Sequence, residues 1–369
     1  MARRRAVARD RWLMVTFGLL AASSLALAGW QVSSGGTPPP TAYHEITVTP
    51  RLTGSVSVAV AGDTMFGDGA ADLIATQGLG PNLAGVAGML SEADVAVVNL
   101  EAPVTAQTGS LMPGAQYSYA SPPEAAAALA AIGVDVFQLG NNHTLDRGAA
   151  GLADTIANAT AAGAVAFGAG PDRAEATRPV LVRTGGLTVG LVSLGEDYGV
   201  AKRSGDAAPG MVPFSADVVL QELRVARRAG ADRVIALAHW GGSYSEVDAS
   251  QRYWAAELVA AGYDAVIGTG PHVLQPVEVI QGVPVAYSIG NFVFDSPGRF
   301  ASFGQQGLGA VATLTFDTTG GTLALRCLRT DNAVVKYVPR ECDAAESAMA
   351  ASQLGGGLTW QGATGTLRF

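Results

Sequence analysis

The stretch Gln138-Leu139-Gly140-Asn141-Asn142-His143-Thr144-Leu145-Asp146-Arg147-Gly148 places two amides, an imidazole and a carboxylate on one short segment. An Asn carbonyl oxygen and a His nitrogen are both metal ligands, and His is the usual proton donor near neutral pH. Hydrolytic metal chemistry asks for this mixture: hard oxygen ligands, some imidazole and an open position for water. The same residues also admit a plainer account, with Asn-Asn as a turn and Asp146 as a helix N-cap. Asp63, Glu101, His239 and His272 extend the set. Each taken singly has a dull explanation as a turn residue, a loop carboxylate or a satisfied histidine.

The elements that carry these residues set them apart. Val134 to Leu139 is an apolar run that reads as a buried strand, and Ala149 to Ala162 reads as a helix stopped by Gly163. Strands read at Ser55–Ala61, Val95–Val98, Arg233–Ala238, Asp264–Gly268 and Val283–Ile289 release Gly62-Asp63, Asn99-Leu100-Glu101, His239-Trp240, Gly270-Pro271-His272 and Gly290-Asn291. Parallel strands bring their carboxyl ends to one edge, where open α/β sheets bind ligands. Three of the four histidines land at such ends, and His44 alone lies elsewhere. This reading picks Asp63, Glu101, Asn142, His143, His239 and His272 as one site.

Ala61-Gly62-Asp63, Asn99-Leu100-Glu101, Asn141-Asn142-His143-Thr144-Leu145-Asp146-Arg147-Gly148, His239-Trp240-Gly241 and Ser288-Ile289-Gly290-Asn291-Phe292 resemble, in order and spacing, the motif series of the CapA (PgsA) family of capsule or poly-γ-glutamate synthesis proteins. That family is similar in fold to the calcineurin-like metallophosphoesterases. The resemblance implies an α/β four-layer sandwich, two mixed β-sheets flanked by helices, with a small C-terminal β extension. It implies one or two divalent metal ions, with Mn, Fe and Zn not distinguished. Asp63 and His272 would hold the first metal, Glu101 would bridge, and Asn142 and His239 would hold the second. His143 would be the acid or electrostatic stabiliser, oriented by Asp146. Asn141, Trp240 and Asn291 would meet substrate. The implied partners are an anionic cell-envelope polymer or the subunits of its synthase. The chain departs from the family at Gly270, where His is usual, and at Ser243, where Glu is usual. The loss at Gly270 removes a ligand from the second metal, and a Gly270→His change would restore it unless the glycine serves a positive φ. A non-catalytic scaffold with a degenerate site, or a phosphodiesterase acting on other envelope substrates, are the alternatives.

Composition bounds the rest. The chain has 369 residues, 49% hydrophobic, with a formal charge of −8. It lacks the basic patches that nucleic acid requires. Met1 to Arg11 carries five arginines against Asp10, a net of +4 that leaves the remainder at −12. Trp12 to Trp30 is uncharged and almost wholly apolar, long enough to span a bilayer with its basic flank inside. The expected organisation is a membrane anchor or signal over 1–31, a linker over 32–54, the CapA-like domain over 55–316 and the extension over 317–369. The expected location is the cell membrane, single-pass with the C-terminal domain outside. Ala26-Leu27-Ala28 offers a cleavage site that would instead give a secreted protein. Cys327 and Cys342 are the only cysteines, and outside the membrane such a pair is expected to be bonded. Further helices are expected at Leu83–Leu90, Asp217–Arg228 and Ala249–Ala261, and Gly195–Met211 as a long mobile loop.

Overall fold

The computed structural model describes residues 42–110, 117–296 and 298–369. The expected anchor or signal segment and the start of the linker lie outside these residues. Among the described residues, no helix is long and apolar enough to cross a membrane.

In chain order the strands are β1 (His44–Thr47), β2 (Ser55–Met65), β3 (Val95–Leu100), β4 (Val136–Gln138), β5 (Val165–Phe167), β6 (Ala169–Gly170), β7 (Val180–Arg183), β8 (Thr188–Gly195), β9 (Gly210–Met211) and β10 (Arg233–His239). They continue as β11 (Ala265–Thr269), β12 (Leu274–Ile280), β13 (Val283–Ile289), β14 (Asn291–Phe294), β15 (Leu308–Asp317), β16 (Gly321–Arg329), β17 (Arg340–Glu341), β18 (Thr359–Gln361) and β19 (Thr364–Arg368). Seven form one mixed sheet in the order β1-β7-β8-β10-β11-β13-β12. The second sheet runs β18-β19-β16-β15-β2-β3-β4-β5, with β14 joined to β2 and β17 to β16. The C-terminal strands therefore extend the second sheet.

Side-chain alternation explains why the central strands read as unbroken apolar runs. On β2, Val56, Val58 and Val60 face the core between the sheets, while Ala59 and Ala61 face an outer core. On β10, Ile235 and Leu237 face inward, while Val234, Ala236 and Ala238 face out. The helices Ala125–Ala131 and Gly148–Ala161 cover the second sheet, and Ala216–Arg228 and Ala249–Ala261 cover the first. This is the expected four-layer sandwich: helix, sheet, sheet, helix.

Three local readings change. β2 runs on to Met65, so Asp63 sits within the strand beyond an irregularity at Gly62, where the pairing with β3 shifts between Ala61 and Asp63. The Leu83–Leu90 helix is two short ones, Gly80–Ala84 and Ala87–Leu90, with the break at Val86, whose φ is −123°; Gly85 beside it lies against the Pro339 carbonyl, where a Cβ would come within 1.8 Å. The Gly195–Met211 loop contains a 3-10 turn at Val200–Lys202, and β9 pairs with β6. Cys327 and Cys342 are disulfide-bonded.

The chain passes from one sheet to the other at Gly290, between β13 and β14. Backbones touch there: a Cβ on Gly62 would lie 1.9 Å from the Gly290 carbonyl, and one on Gly309 would lie 2.0 Å from that of Asn291. Only glycine permits this approach.

Candidate metal centre

Strand ends from both sheets deliver the polar residues. β2 carries Asp63, and β3 ends one residue before Glu101. The loop after β4 carries Asn141 to Asp146. From the other sheet, β10 ends at His239 and β11 leads into Gly270 to His272. Asn291 starts β14 directly beside Asp63. The sequence-derived set is therefore brought together.

Glu101 lies at the middle. Its Oε1 is 3.7 Å from His239 Nε2, 3.8 Å from His272 Nε2 and 3.9 Å from His143 Nε2. Two ligands each about 2.0–2.2 Å from one cation lie no more than about 4.4 Å apart. Asp63, Glu101 and His239 each offer an atom within 4.8 Å of the others'. Both Glu101 oxygens are buried with no hydrogen-bond partner. A buried carboxylate is not left so without a compensating charge, and a cation meets that need. This buried Asp-Glu-His cluster can hold a metal.

The remaining contacts orient the ligands. Asp63 accepts hydrogen bonds from Asn99 Nδ2 at 2.7 Å and from the Gly270 amide, 3.1 Å from each of its oxygens. His272 Nδ1 lies 3.1 Å from Asp63 Oδ2 and 3.0 Å from Asn291 Oδ1. Two acceptors place a proton on that nitrogen, so Nε2 is the atom turned to Glu101. His239 Nε2 is 3.0 Å from Asn142 Oδ1. His143 Nδ1 is 2.6 Å from Asp146 Oδ2, the pairing expected from the sequence, and its Nε2 is turned inward.

Electrostatics follow from burial. Burial, then Asp63, pushes the Glu101 carboxyl well above the usual carboxylate range. Burial pushes Asp63 the same way, but its hydrogen bond and charge interaction with His272, then His239 and Asn99, outweigh it and hold Asp63 below that range. Burial pulls His239 down to about 3, and lowers His143 against the opposing pull of Asp146.

Two expected substrate contacts face elsewhere. Asn141 is wholly buried, its amide donating to Asn99 Oδ1 and the Leu100 carbonyl and its oxygen accepting from the His143 amide. Trp240 is also wholly buried, with Nε1 donating to the Tyr287 carbonyl. Both hold the loops, because no open surface remains to them. Asn291 is buried against His272 in the floor.

Gly270 is more than a missing ligand. Its φ is +108°, and a Cβ would lie 2.8 Å from the Trp240 carbonyl and 3.2 Å from His239 Nε2. A histidine there needs a different backbone, so the expected rescue by Gly270→His does not fit this chain.

Outside the cluster lies a cavity of about 270 Å³ lined by Tyr117, Tyr119, Asn142, His143, Ser243, Tyr244, His272, Arg299 and Phe303. Tyr244 and His272 both have positive φ, +58° and +62°, and the Tyr244 amide donates to the Pro271 carbonyl. Such backbone costs a bulky residue on the order of 1–3 kcal/mol and collects at functional sites. On the other flank, Tyr198 donates to the His239 carbonyl at 3.0 Å, and Lys202 reaches the Asn142 carbonyl. The sequence places the Thr105–Tyr119 loop near the site, as the cavity lining bears out, but it does not single out Tyr119, nor Asn99, Lys202, Tyr244 and Arg299, as site residues. Asn99 stands inside one of the motifs and was within reach; Tyr119 and Tyr244 lie on loops, Lys202 in the 3-10 turn and Arg299 at the start of the short helix Arg299–Ser302, all outside the motifs.

The sequence profile of the family described as Bacterial capsule synthesis protein PGA_cap matches residues 57–296, more than half of the chain. The chain belongs to the PGA_cap family. It is 27% identical over 242 residues to the PGA biosynthesis protein CapA of Bacillus subtilis, covering 65% of this chain and 63% of that protein. It is 32% identical over 251 residues to a probable polyglutamine synthesis accessory protein of Mycobacterium tuberculosis, covering 64% and 65%. The chain thus spans less than two thirds of the length of these relatives. Among solved structures it is similar to a putative 5'-nucleotidase from Staphylococcus aureus, at 14% identity and a TM-score of 0.43, over 80% of this chain and 57% of that one. The PGA_cap match runs from β2 to the end of β14, so it contains every ligand candidate, while Arg299 and Phe303 lie just beyond it.

Proposed function

We propose that this PGA_cap chain is an accessory protein of capsule-type polymer synthesis, tethered outside the membrane by its apolar N-terminal stretch. Its centre cleaves or transfers an anionic polymer of the poly-γ-glutamate kind. The observation that carries the reading is Glu101, a wholly buried carboxylate with no hydrogen-bond partner, faced by three imidazoles within 4 Å. The names of the relatives support the substrate class.

The chain's residues divide the work. Asp63, Glu101, His239 and His272, with Asn142, would hold one or two divalent cations. When bound, such a cation polarises a carbonyl or phosphoryl oxygen and acidifies a water. Asp146 fixes the His143 ring by its Nδ1, so Nε2 is free to take the proton of the attacking water and pass it to the departing nitrogen as the water oxygen bonds to the carbonyl carbon and the C–N bond breaks. The aromatic walls limit the water that reaches this face.

Gly270 favours a second reading, a scaffold with a degenerate centre, since it supplies no side chain on the His239 side. Metal analysis of the purified chain, with turnover of γ-linked polyglutamate, separates the two. Stoichiometric metal and cleavage support the hydrolase. Metal-free protein that still binds the polymer supports the scaffold. The tether is tested by protease added to intact cells: complete protection, while an exterior marker is cut, overturns it.

A further inference from the structure

We propose that the cavity in front of the centre is a subsite for one free carboxylate of the substrate, read by Arg299 and Tyr244. The proposal rests on the reading of the centre as a site that processes polymer. Among the described residues that line the cavity, Arg299 is the one permanent cation. Its guanidinium is fixed in advance, lying 3.8 Å over the Tyr117 ring and 5.5 Å over the Tyr119 ring and donating to the Tyr119 hydroxyl. A guanidinium already stacked has lost side-chain freedom before an anion arrives, so binding costs less.

Tyr244 stands opposite. Its left-handed backbone turns the ring over His272, centroids 5.4 Å apart, and onto Phe303 at 4.5 Å and nearly parallel. The Tyr244 hydroxyl makes no hydrogen bond to another described residue, although the side chain is largely buried at the cavity wall. A buried phenol normally finds an acceptor, and the cavity is where one would sit. Phe303 is half-exposed and gives the mouth an apolar lip. A fixed guanidinium, a phenol donor and an apolar lip together fit a carboxylate borne directly on a chain carbon beside methylene groups, as each glutamyl unit of a γ-linked chain presents. The subsite also answers a problem of charge: a domain at −12 repels polyanions at a distance and needs a local cation to seat one.

The test is titration calorimetry on the full chain, with and without added metal. The probes are a γ-linked glutamate oligomer, the same oligomer with its α-carboxylates converted to carboxamides, and a glycerol-phosphate oligomer. The parent is expected to prefer the acid oligomer to its amide by at least about tenfold, the scale of a charge-assisted hydrogen bond. Arg299→Gln is expected to erase that preference, and Tyr244→Phe to reduce it several-fold. A preference that survives Arg299→Gln overturns the proposal, as does a parent that binds no acid oligomer. Tighter binding of the phosphate oligomer, lost on Arg299→Gln, replaces the carboxylate by a phosphate and overturns it too. Should Arg299→Gln not fold, the amide oligomer and Tyr244→Phe decide alone. These are affinities, so a failure here leaves metal content and turnover, which test the centre, untouched.

Discussion

Glu101 shows how one side chain sets the behaviour of the site. In the metal-free folded chain it keeps a proton that the unfolded chain gives up above about 4.5. That contribution to stability is fully present below 4.5 and is lost as pH rises through the elevated folded value. His239 acts in the opposite sense. It stays neutral when folded down to about 3, while the unfolded imidazole charges below 6.5, so stability falls as pH drops from 6.5 toward 3. A cation needs Glu101 ionised and His239 neutral. Metal loading at pH 6 is therefore expected to release protons, measured by calorimetry in buffers of differing ionisation enthalpy; heats that do not depend on the buffer would contradict this. Glu101→Gln is expected to lose the metal. Metal-free at pH 8, it should melt no lower than the metal-free parent and gain up to about 1–3 kcal/mol, because the parent must either bury a charge or hold a proton that its unfolded chain gives up, and the amide does neither. Gly270→Ala is expected to lose about 1–3 kcal/mol through its φ of +108° and the contact with Trp240, read by denaturant melts. Of the site residues, Asp63, Glu101, Asn142, His143, His239 and His272 were legible because each has a chemical type rare at a buried strand end. Trp240 and Asn141 are wholly buried, which their motifs did not foretell: membership of a motif does not say which way a side chain faces.

At the scale of elements, strand ends and caps decide where the ligands stand. The Ala249–Ala261 helix was legible to the residue, since Asp248 opens it with a capping box to Gln251 and Gly262 closes it in the left-handed conformation. Asp248→Ala is expected to cost about 0.5–2 kcal/mol by thermal melt. It should also disturb the neighbouring Gly241 turn, because Gln251 packs against it. The loop after β4 holds its own chemistry through Asp146. Asp146→Asn is expected to lower turnover of γ-linked polymer by about 10²–10⁴-fold, with metal content unchanged, since it frees the His143 ring without touching a ligand. An equal fall in metal content would instead place Asp146 in the support of the cluster. The extension of β2 past Gly62 was not legible, because a strand that continues through an irregularity looks in sequence like a strand that has ended.

At the scale of the whole chain, the layers followed from alternation, and one cross-link ties the C-terminal strands to them. The disulfide joins Cys327 in β16 to Cys342, 15 residues on, just before the Ala344–Leu354 helix that packs on β12 and β16. Reduction is expected to lower stability by about 3 kcal/mol, with two free thiols appearing by alkylation and mass spectrometry only after reductant. The cavity walls were illegible for a topological reason. Arg299 and Phe303 follow the last motif, and only the return of the chain through Gly290 carries them back over His272.

That return has a practical consequence for genetics. Where Gly62 and Gly309 let β2 and β15 lie against the crossing chain at Gly290 and Asn291, even a methyl group has no room. A saturation screen scored by loss of capsule would rank these glycines beside Asp63 and His239, and conservation would do the same. Scoring abundance in parallel would divide them: ligand variants stay at parental levels without function, while variants of the seam disappear from the cell.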